Sequence, residues 1–205
     1  MIYLYGAGGH AKVILELLEL QGEAIGGLID LDPEIKSLLD YPVYTTNETE
    51  IISPATSSYV ISVGDNLTRK KISEQLNANY FSVFHPAANI SVRATIAEGT
   101  VVMAGVSINS DVTIGKHTII NTNSSIDHDC SIGNYVHISP NVALAGNIVV
   151  GEGAQIGIGA CVIPGITIGR WATIGAGAVI INNVPDYAVV VGNPGKIIKY
   201  NQINE

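Results

Sequence analysis

His128 stands between two carboxylates, Asp127 and Asp129, and is followed by Cys130. A nearby anion favours the imidazolium form, so this setting raises the basicity of an imidazole and suits it to take up a proton. The same stretch also reads as an exposed, solvated turn, and spacing alone does not separate the two. His137 lies nine residues further on, His117 occupies an earlier turn, and His85, before Pro86, reads as structural. A second constellation opens the chain. Gly6-x-Gly8-x-x-Ala11 follows the apolar stretch Ile2–Tyr5, and Asp30 falls near the acidic position of a dinucleotide fingerprint. Backbone amides at such a turn, where a helix begins, suit a diphosphate.

The elements that must carry these residues have two textures. Residues 1–85 alternate short apolar runs with helical ones. Ile2–Tyr5 reads as a strand, and His10–Leu20 as a helix with Val13, Ile14, Leu17 and Leu18 on one face. Ala24–Ile29 and Tyr59–Val63 read as further strands, Leu67–Leu76 as a polar helix, and Tyr80–Phe84 as a last strand. Such alternation predicts a parallel sheet with crossovers. From Ile90 an aliphatic residue recurs every sixth position, through Ile96, Val102, Ile108 and onward to Ile180, giving sixteen hexads without an insertion. A small or β-branched residue usually follows four positions later, as in Thr100, Val106, Thr118 and Cys130, and Gly often follows the aliphatic. A six-residue period predicts a parallel β-helix. Each hexad is a short strand and a turn, with Gly or Asn permitting the turn dihedrals. Three hexads close one triangular coil, so sixteen make about five coils, roughly 25 Å tall at the strand spacing.

Coils of eighteen residues stack residue i on residue i+18. Gly146 therefore falls beside His128, and its open amide is a candidate oxyanion donor for acyl transfer. Cys130 occupies an inward small-residue position and reads as core rather than nucleophile. Cys161 reads as a turn residue without a chemical role.

Composition excludes several classes. Hydrophobic residues make up 47% and charged residues 14% of the 205, which excludes a disordered chain. The 22 glycines show no Gly-X-Y period, which excludes collagen. The balance of 10 Lys+Arg against 18 Asp+Glu gives a net charge of −8, so no nucleic-acid partner is expected. The one basic cluster, Arg69-Lys70-Lys71, reads as a solvated helix face. No stretch is long and apolar enough for membrane insertion. Without a signal-peptide pattern or a disulfide framework, a cytoplasmic location is the expectation.

The hexads resemble those of the left-handed β-helix acyltransferases, as does the ending Gly192-Asn193-Pro194-Gly195-Lys196. Tyr5-Gly6-Ala7-Gly8-Gly9-His10-Ala11 narrows the resemblance to the bacterial nucleotide-sugar branch: N-acetyltransferases of UDP-, dTDP- or GDP-linked 4-amino sugars, and related sialic acid O-acetyltransferases. The resemblance covers essentially the whole chain. It implies a Rossmann-like α/β nucleotide-sugar-binding domain over 1–85 and a left-handed parallel β-helix acetyltransferase domain with a C-terminal tail over 86–205. It implies a homotrimer that uses acetyl-CoA without a metal, each acyl site lying between neighbouring helices. By the same resemblance His128 is the general base and Asp129, where relatives often carry Glu, raises its basicity. The Gly146 amide is the oxyanion donor, and His137, Ile158 and Ala176 meet the coenzyme. Gly8, Gly9 and His10 contact the phosphates or ribose of the nucleotide sugar, with Asp30, Leu31 and Gly64 bordering the nucleoside.

Three other readings compete. An NAD dehydrogenase fits the glycine fingerprint, but the domain holds chain for only one mononucleotide half. Left-handed β-helices also host zinc carbonic anhydrases, and His117, His128 and His137 number three, yet their spacings of eleven and nine are not that family's. A non-catalytic solenoid needs regular Thr ladders, and the outward positions here are irregular.

Overall fold

The structure is a computed structural model that describes residues 1–45, 57–76 and 78–202. The N-terminal part runs β1 (Ile2–Tyr5), α1 (Gly9–Leu20), β2 (Ile25–Asp30), β3 (Ser37–Leu38), β4 (Tyr41–Thr45), β5 (Ser58–Ile61), α2 (Asn66–Gln75) and β6 (Asn79–Tyr80). These strands form one sheet in the order β3-β4-β2-β1-β5-β6. β1 pairs in parallel with β2 on one side and β5 on the other, so the strand order reverses beside it. Ligands of open α/β sheets bind in the crevice at such a reversal, beyond the carboxyl ends of the strands.

α1 holds because Ala11, Ile14, Leu15, Leu17 and Leu18 are buried along one stripe. Val13, expected on that stripe, is 43% exposed, and Leu15 takes its place. The expected strand Tyr80–Phe84 is divided between two sheets. Asn79–Tyr80 closes the α/β sheet, whereas β7 (Val83–Phe84) pairs with Val101–Val102 and becomes the first rung of the β-helix. The antiparallel pair of β3 and β4 was not legible from periodicity, since neither run alternates.

β8 (Asn89–Ile90) to β23 (Val179–Ile180) are sixteen two-residue strands, one for each hexad. Each pairs with the strand eighteen residues away, as Val101 does with Ile119 and Ser125 with Ala143. They make three faces. Face one carries Val101, Ile119, His137, Gln155 and Thr173; face two carries Ser107, Ser125, Ala143 and Cys161; face three carries Thr113, Ser131, Val149 and Thr167. The fold is the one expected, a Rossmann-like α/β domain followed by a left-handed parallel β-helix. Ile120, Ile126, Ile138, Ile156 and Ile174 fill the axis at 0–1% exposure. Burying one such side chain stabilises by about 2–3 kcal/mol.

The corners hold the next regularity. Every sixth residue from Gly99 to Gly177 has a positive φ, among them Asp111, His117, Asn123, Asp129, Tyr135 and Trp171. The glycines that follow the inward aliphatics do a different job from the one expected of them. Gly133 has no positive φ; a Cβ there would stand 2.7 Å from the Glu152 amide of the next coil. Close stacking, not turn dihedrals, demands glycine at that position. After Ile180 the frame shortens: β24 (Ala188–Val191) pairs Val189 with Thr173, and β25 (Lys196–Tyr200) returns antiparallel to it.

Candidate active site

The turn from Ile126 to Ser131 joins face two to face three, and its backbone conformation places its side chains. Asp129 has φ 59°, the left-handed corner conformation, and its carboxylate Oδ2 lies 2.7 Å from His128 Nδ1. The aspartate thus reaches the ring despite its short stem. On the other side, Asp127 Oδ1 accepts the His128 amide at 2.8 Å and an Asn109 Nδ2–H at 2.8 Å. The hydrogen bond to Asp129, and then the charge of Asp127, raise the His128 pKa above its ordinary value. The Asn109 bond holds Asp127 below the usual carboxylate range.

With Nδ1 engaged as donor to Asp129, Nε2 carries the free lone pair. That edge faces Gly146. A Cβ on Gly146 would lie 2.6 Å from His128 Cε1 and 2.8 Å from Nε2, so only glycine admits the ring. The amides on either side, Ala145 N and Asn147 N, donate to Val162 O and His128 O. Among the described residues no acceptor meets the Gly146 amide between them. The i+18 arithmetic therefore brought the two groups together as expected. A groove of about 360 Å³ on face two borders this turn, lined by Asn109, Ser125, Asp127, Ala145 and Cys161 among others. Cys161 is exposed on a strand, Cys161–Val162, rather than at a turn. Cys130 is buried, its thiol is raised by desolvation, and Sγ points at Ala145 O at 3.1 Å. That is core behaviour.

His137 is on face one, a different side of the prism from the His128 corner. The α/β domain docks against that side, which brings His10 into reach. The two rings stand 6.5 Å apart. Asn121 Nδ2 lies 3.1 Å from His137 Nε2. Burial, reinforced by the charge of Arg69, pushes His137 down to about 3 and His10 to about 4, so both are neutral imidazoles at neutral pH. Among the described residues no hydrogen-bond partner meets the buried His10 Nε2. Ile158 and Ala176 sit in the corner joining faces one and two, where Gly177 N bonds Ile158 O, and Ile158 is 57% exposed.

The N-terminal glycine turn lies at the carboxyl end of β1. Gly6 has φ +109°, a conformation glycine alone adopts without strain. Gly8 caps α1 without a side-chain bond, and a Cβ at Gly8, Gly9 or Gly64 would meet nothing within 4 Å. Backbone amides at the start of α1 are thus open to an anion. Asp30 ends β2, where its carboxylate accepts the amides of Ala7 at 2.6 Å and Asp32 at 3.0 Å. Leu31 beside it is 74% exposed.

His117 joins neither site. It is buried, stacked on Tyr135 and edge-on to Tyr80, and desolvation lowers it to about 4. Among the described residues no three of His, Cys, Asp or Glu gather to hold a metal, and no helix is long and apolar enough to cross a membrane. Two residues escaped the sequence reading. Asn121 follows its inward Ile120 where other coils place Gly115, Gly133 and Gly157, a departure visible in the repeat. Arg69, read as solvated, is 1% exposed, because α2 packs this side chain against the β-helix.

Repeating coils with an imidazole–carboxylate dyad at a corner define an acyltransferase of the hexapeptide-repeat class. Comparison with known proteins narrows this. A model described as PglD N-terminal domain matches residues 1–76, and one described as bacterial transferase hexapeptide (six repeats) matches 147–182. UDP-N-acetylbacillosamine N-acetyltransferase of Bacillus subtilis is 38% identical over 111 residues, covering 50% of this chain and 51% of that protein. The match thus spans about half the length of that curated relative. Perosamine N-acetyltransferase from Caulobacter crescentus, solved as a His-to-Asn variant with CoA and GDP-perosamine, superposes with a TM-score of 0.93 at 38% identity over 97% of this chain and 96% of that one. The acetyltransferase domain of PglB from Neisseria gonorrhoeae, in complex with acetyl coenzyme A, gives 0.90 at 37% identity, covering 96% of this chain and 98% of that chain. WeeI from Acinetobacter baumannii gives 0.89 at 30%, covering 97% and 99%. The chain belongs to the family of left-handed β-helix nucleotide-sugar N-acetyltransferases.

Proposed function

We propose that this enzyme transfers the acetyl group of acetyl-CoA to the amine of a nucleotide-linked 4-amino-4,6-dideoxy sugar, for bacterial surface glycan synthesis in the cytoplasm. One observation carries the reading: His128 is held by Asp129 through Nδ1 and presents Nε2 to the open side of Gly146. The sugar amine attacks the thioester carbonyl, and a C–N bond forms. Nε2 of His128 takes the proton that the amine must lose, so the tetrahedral intermediate collapses forward. The Gly146 amide donates to the oxyanion. The C–S bond then breaks, and the proton held by His128 is available to the departing thiolate of CoA. Asp129 supports the imidazolium formed in between.

In this reading residues 1–85 hold the nucleotide sugar and 86–205 the acyl chemistry. Gly8, Gly9 and His10 receive the diphosphate, Asp30, Leu31 and Gly64 border the nucleoside, and His137, Ile158 and Ala176 meet the coenzyme. Within one chain His128 and His137 belong to different sides of the prism. They serve one reaction if coils of neighbouring subunits meet, which supports the homotrimer with its acyl site in the shared groove. Acceptors with GDP and UDP carriers in the relatives' complexes and names favour a nucleotide sugar over the alternative, sialic acid O-acetylation.

The test supplies purified protein with acetyl-CoA and a panel of UDP-, dTDP- and GDP-linked 4-amino sugars plus free sialic acid, following CoA release. Turnover on a nucleotide amino sugar, with none on sialic acid, is the expected outcome. Turnover on sialic acid alone overturns the proposal.

A further inference from the structure

Arg69 is a guanidinium buried to 1% exposure whose hydrogen bonds run to neutral acceptors. Nε donates to His117 O at 2.7 Å. One terminal nitrogen donates to Val63 O at 3.0 Å and Gly64 O at 3.2 Å. The other donates to Asn66 Oδ1 at 2.8 Å and Tyr135 O at 2.8 Å, with Val136 O at 3.4 Å. His117 and Tyr135 are left-handed corner residues on successive coils, so their carbonyls turn away from the strand ladder. Among the described residues Arg69 is the one donor to the carbonyls of His117, Tyr135 and Val63. A single planar fork thus ties the turn after β5 to two coils of the β-helix.

That tie lies next to both candidate ligand regions. Gly64 belongs to the nucleotide-bordering turn. Val136 directly precedes His137, whose ring also bonds the Gly64 backbone and reaches Asn121.

We propose that Arg69 is a positioning residue that holds the Gly64 turn in register with His137, and so places the nucleotide sugar against the acyl-transfer face. The proposal rests on the functional reading above. A lysine keeps the charge but has three donors on a point, and cannot serve four divergent carbonyls. The charge acts in the same sense as the geometry. With burial, it keeps His10, His117 and His137 neutral; Asp65, Glu98 and Lys116 are the other charged groups facing this cluster.

The experiment compares wild type with Arg69→Lys and Arg69→Gln, each checked for folding by circular dichroism. KM is measured separately for acetyl-CoA and for the panel sugar that wild type uses fastest. Expected for Arg69→Lys is a rise of at least tenfold in KM for the nucleotide sugar, with less than twofold for acetyl-CoA. The imidazole resonances of His137, followed by NMR in ligand-free protein, shift in both variants. Equal KM rises for both substrates overturn the proposal, as does an unshifted His137 signal. Unfolding of both variants also overturns it, assigning Arg69 to folding alone. If wild type acetylates no panel sugar, the functional reading fails, while the His137 signal still decides the role of Arg69.

Discussion

Gly146→Ala tests the proposed catalytic geometry with a single methyl group. The new Cβ would lie 2.6 Å from His128 Cε1, whereas ordinary contact begins at 3.4 Å, so the ring must retreat by about 0.8 Å. The backbone of Gly146 has no left-handed φ, so the substitution adds no dihedral strain. The imidazole is more than half exposed, with 59% of its side-chain surface open, and can swing toward solvent at little cost to folding. It cannot do so while keeping both its 2.7 Å bond to Asp129 and its line to the substrate amine. A misplacement near 1 Å costs about 100-fold in rate, equivalent to about 2.7 kcal/mol of barrier. The methyl also crowds the open amide. Steady-state kinetics should show kcat/KM falling about 100-fold, mostly in kcat, with the melting temperature within about 2 °C of wild type. Retention of a third or more of the activity would refute the contact between Gly146 and the base. Collapse of the fold would refute the claim that the ring can yield.

Further expectations follow from the same residues. His128→Asn should lower kcat by about 10²–10⁴-fold while CoA still binds by calorimetry; a loss of binding would mean a role other than proton transfer. The base form of His128 exists above its raised pKa, so kcat/KM should climb with pH through a midpoint above about 6.5. Asp129→Asn removes the largest cause of that rise, so the midpoint should move to lower pH and the plateau should drop; an unmoved midpoint would disconnect Asp129 from the base. His10, His117 and His137 are depressed in the folded state to about 4, about 4 and about 3. The unfolded chain therefore binds more protons below about 6.5, and stability is full above that pH. Urea titrations should show it falling as pH drops toward 4, by up to about 1.4 kcal/mol per unit for each of the three histidines. A flat profile between pH 7 and 5 would show that these rings are not held neutral.

The candidate corner at His128 was legible because it depends on local arithmetic. An unbroken period of six sets coils of eighteen, and Gly146 beside His128 follows from counting. The rings of His10 and His137 could not be paired in this way. Their approach depends on how the α/β domain docks on face one, and no repeat links position 10 to position 137. Val83–Phe84 misled for a related reason: an apolar pair following the α/β strands is claimed by whichever sheet offers a free edge, and here the β-helix does.

Periodicity and residue type by themselves determined the coil, the core column, the inward place of Cys130 and the imidazole–glycine contact, since each is a consequence of spacing along one strand path. Tertiary structure alone decided that the Asp129 carboxylate folds back onto the ring, because a left-handed corner aims it there. It also decided that Arg69 is buried, because helix pattern records which residues share a face but not which carbonyls a neighbouring domain brings to meet them.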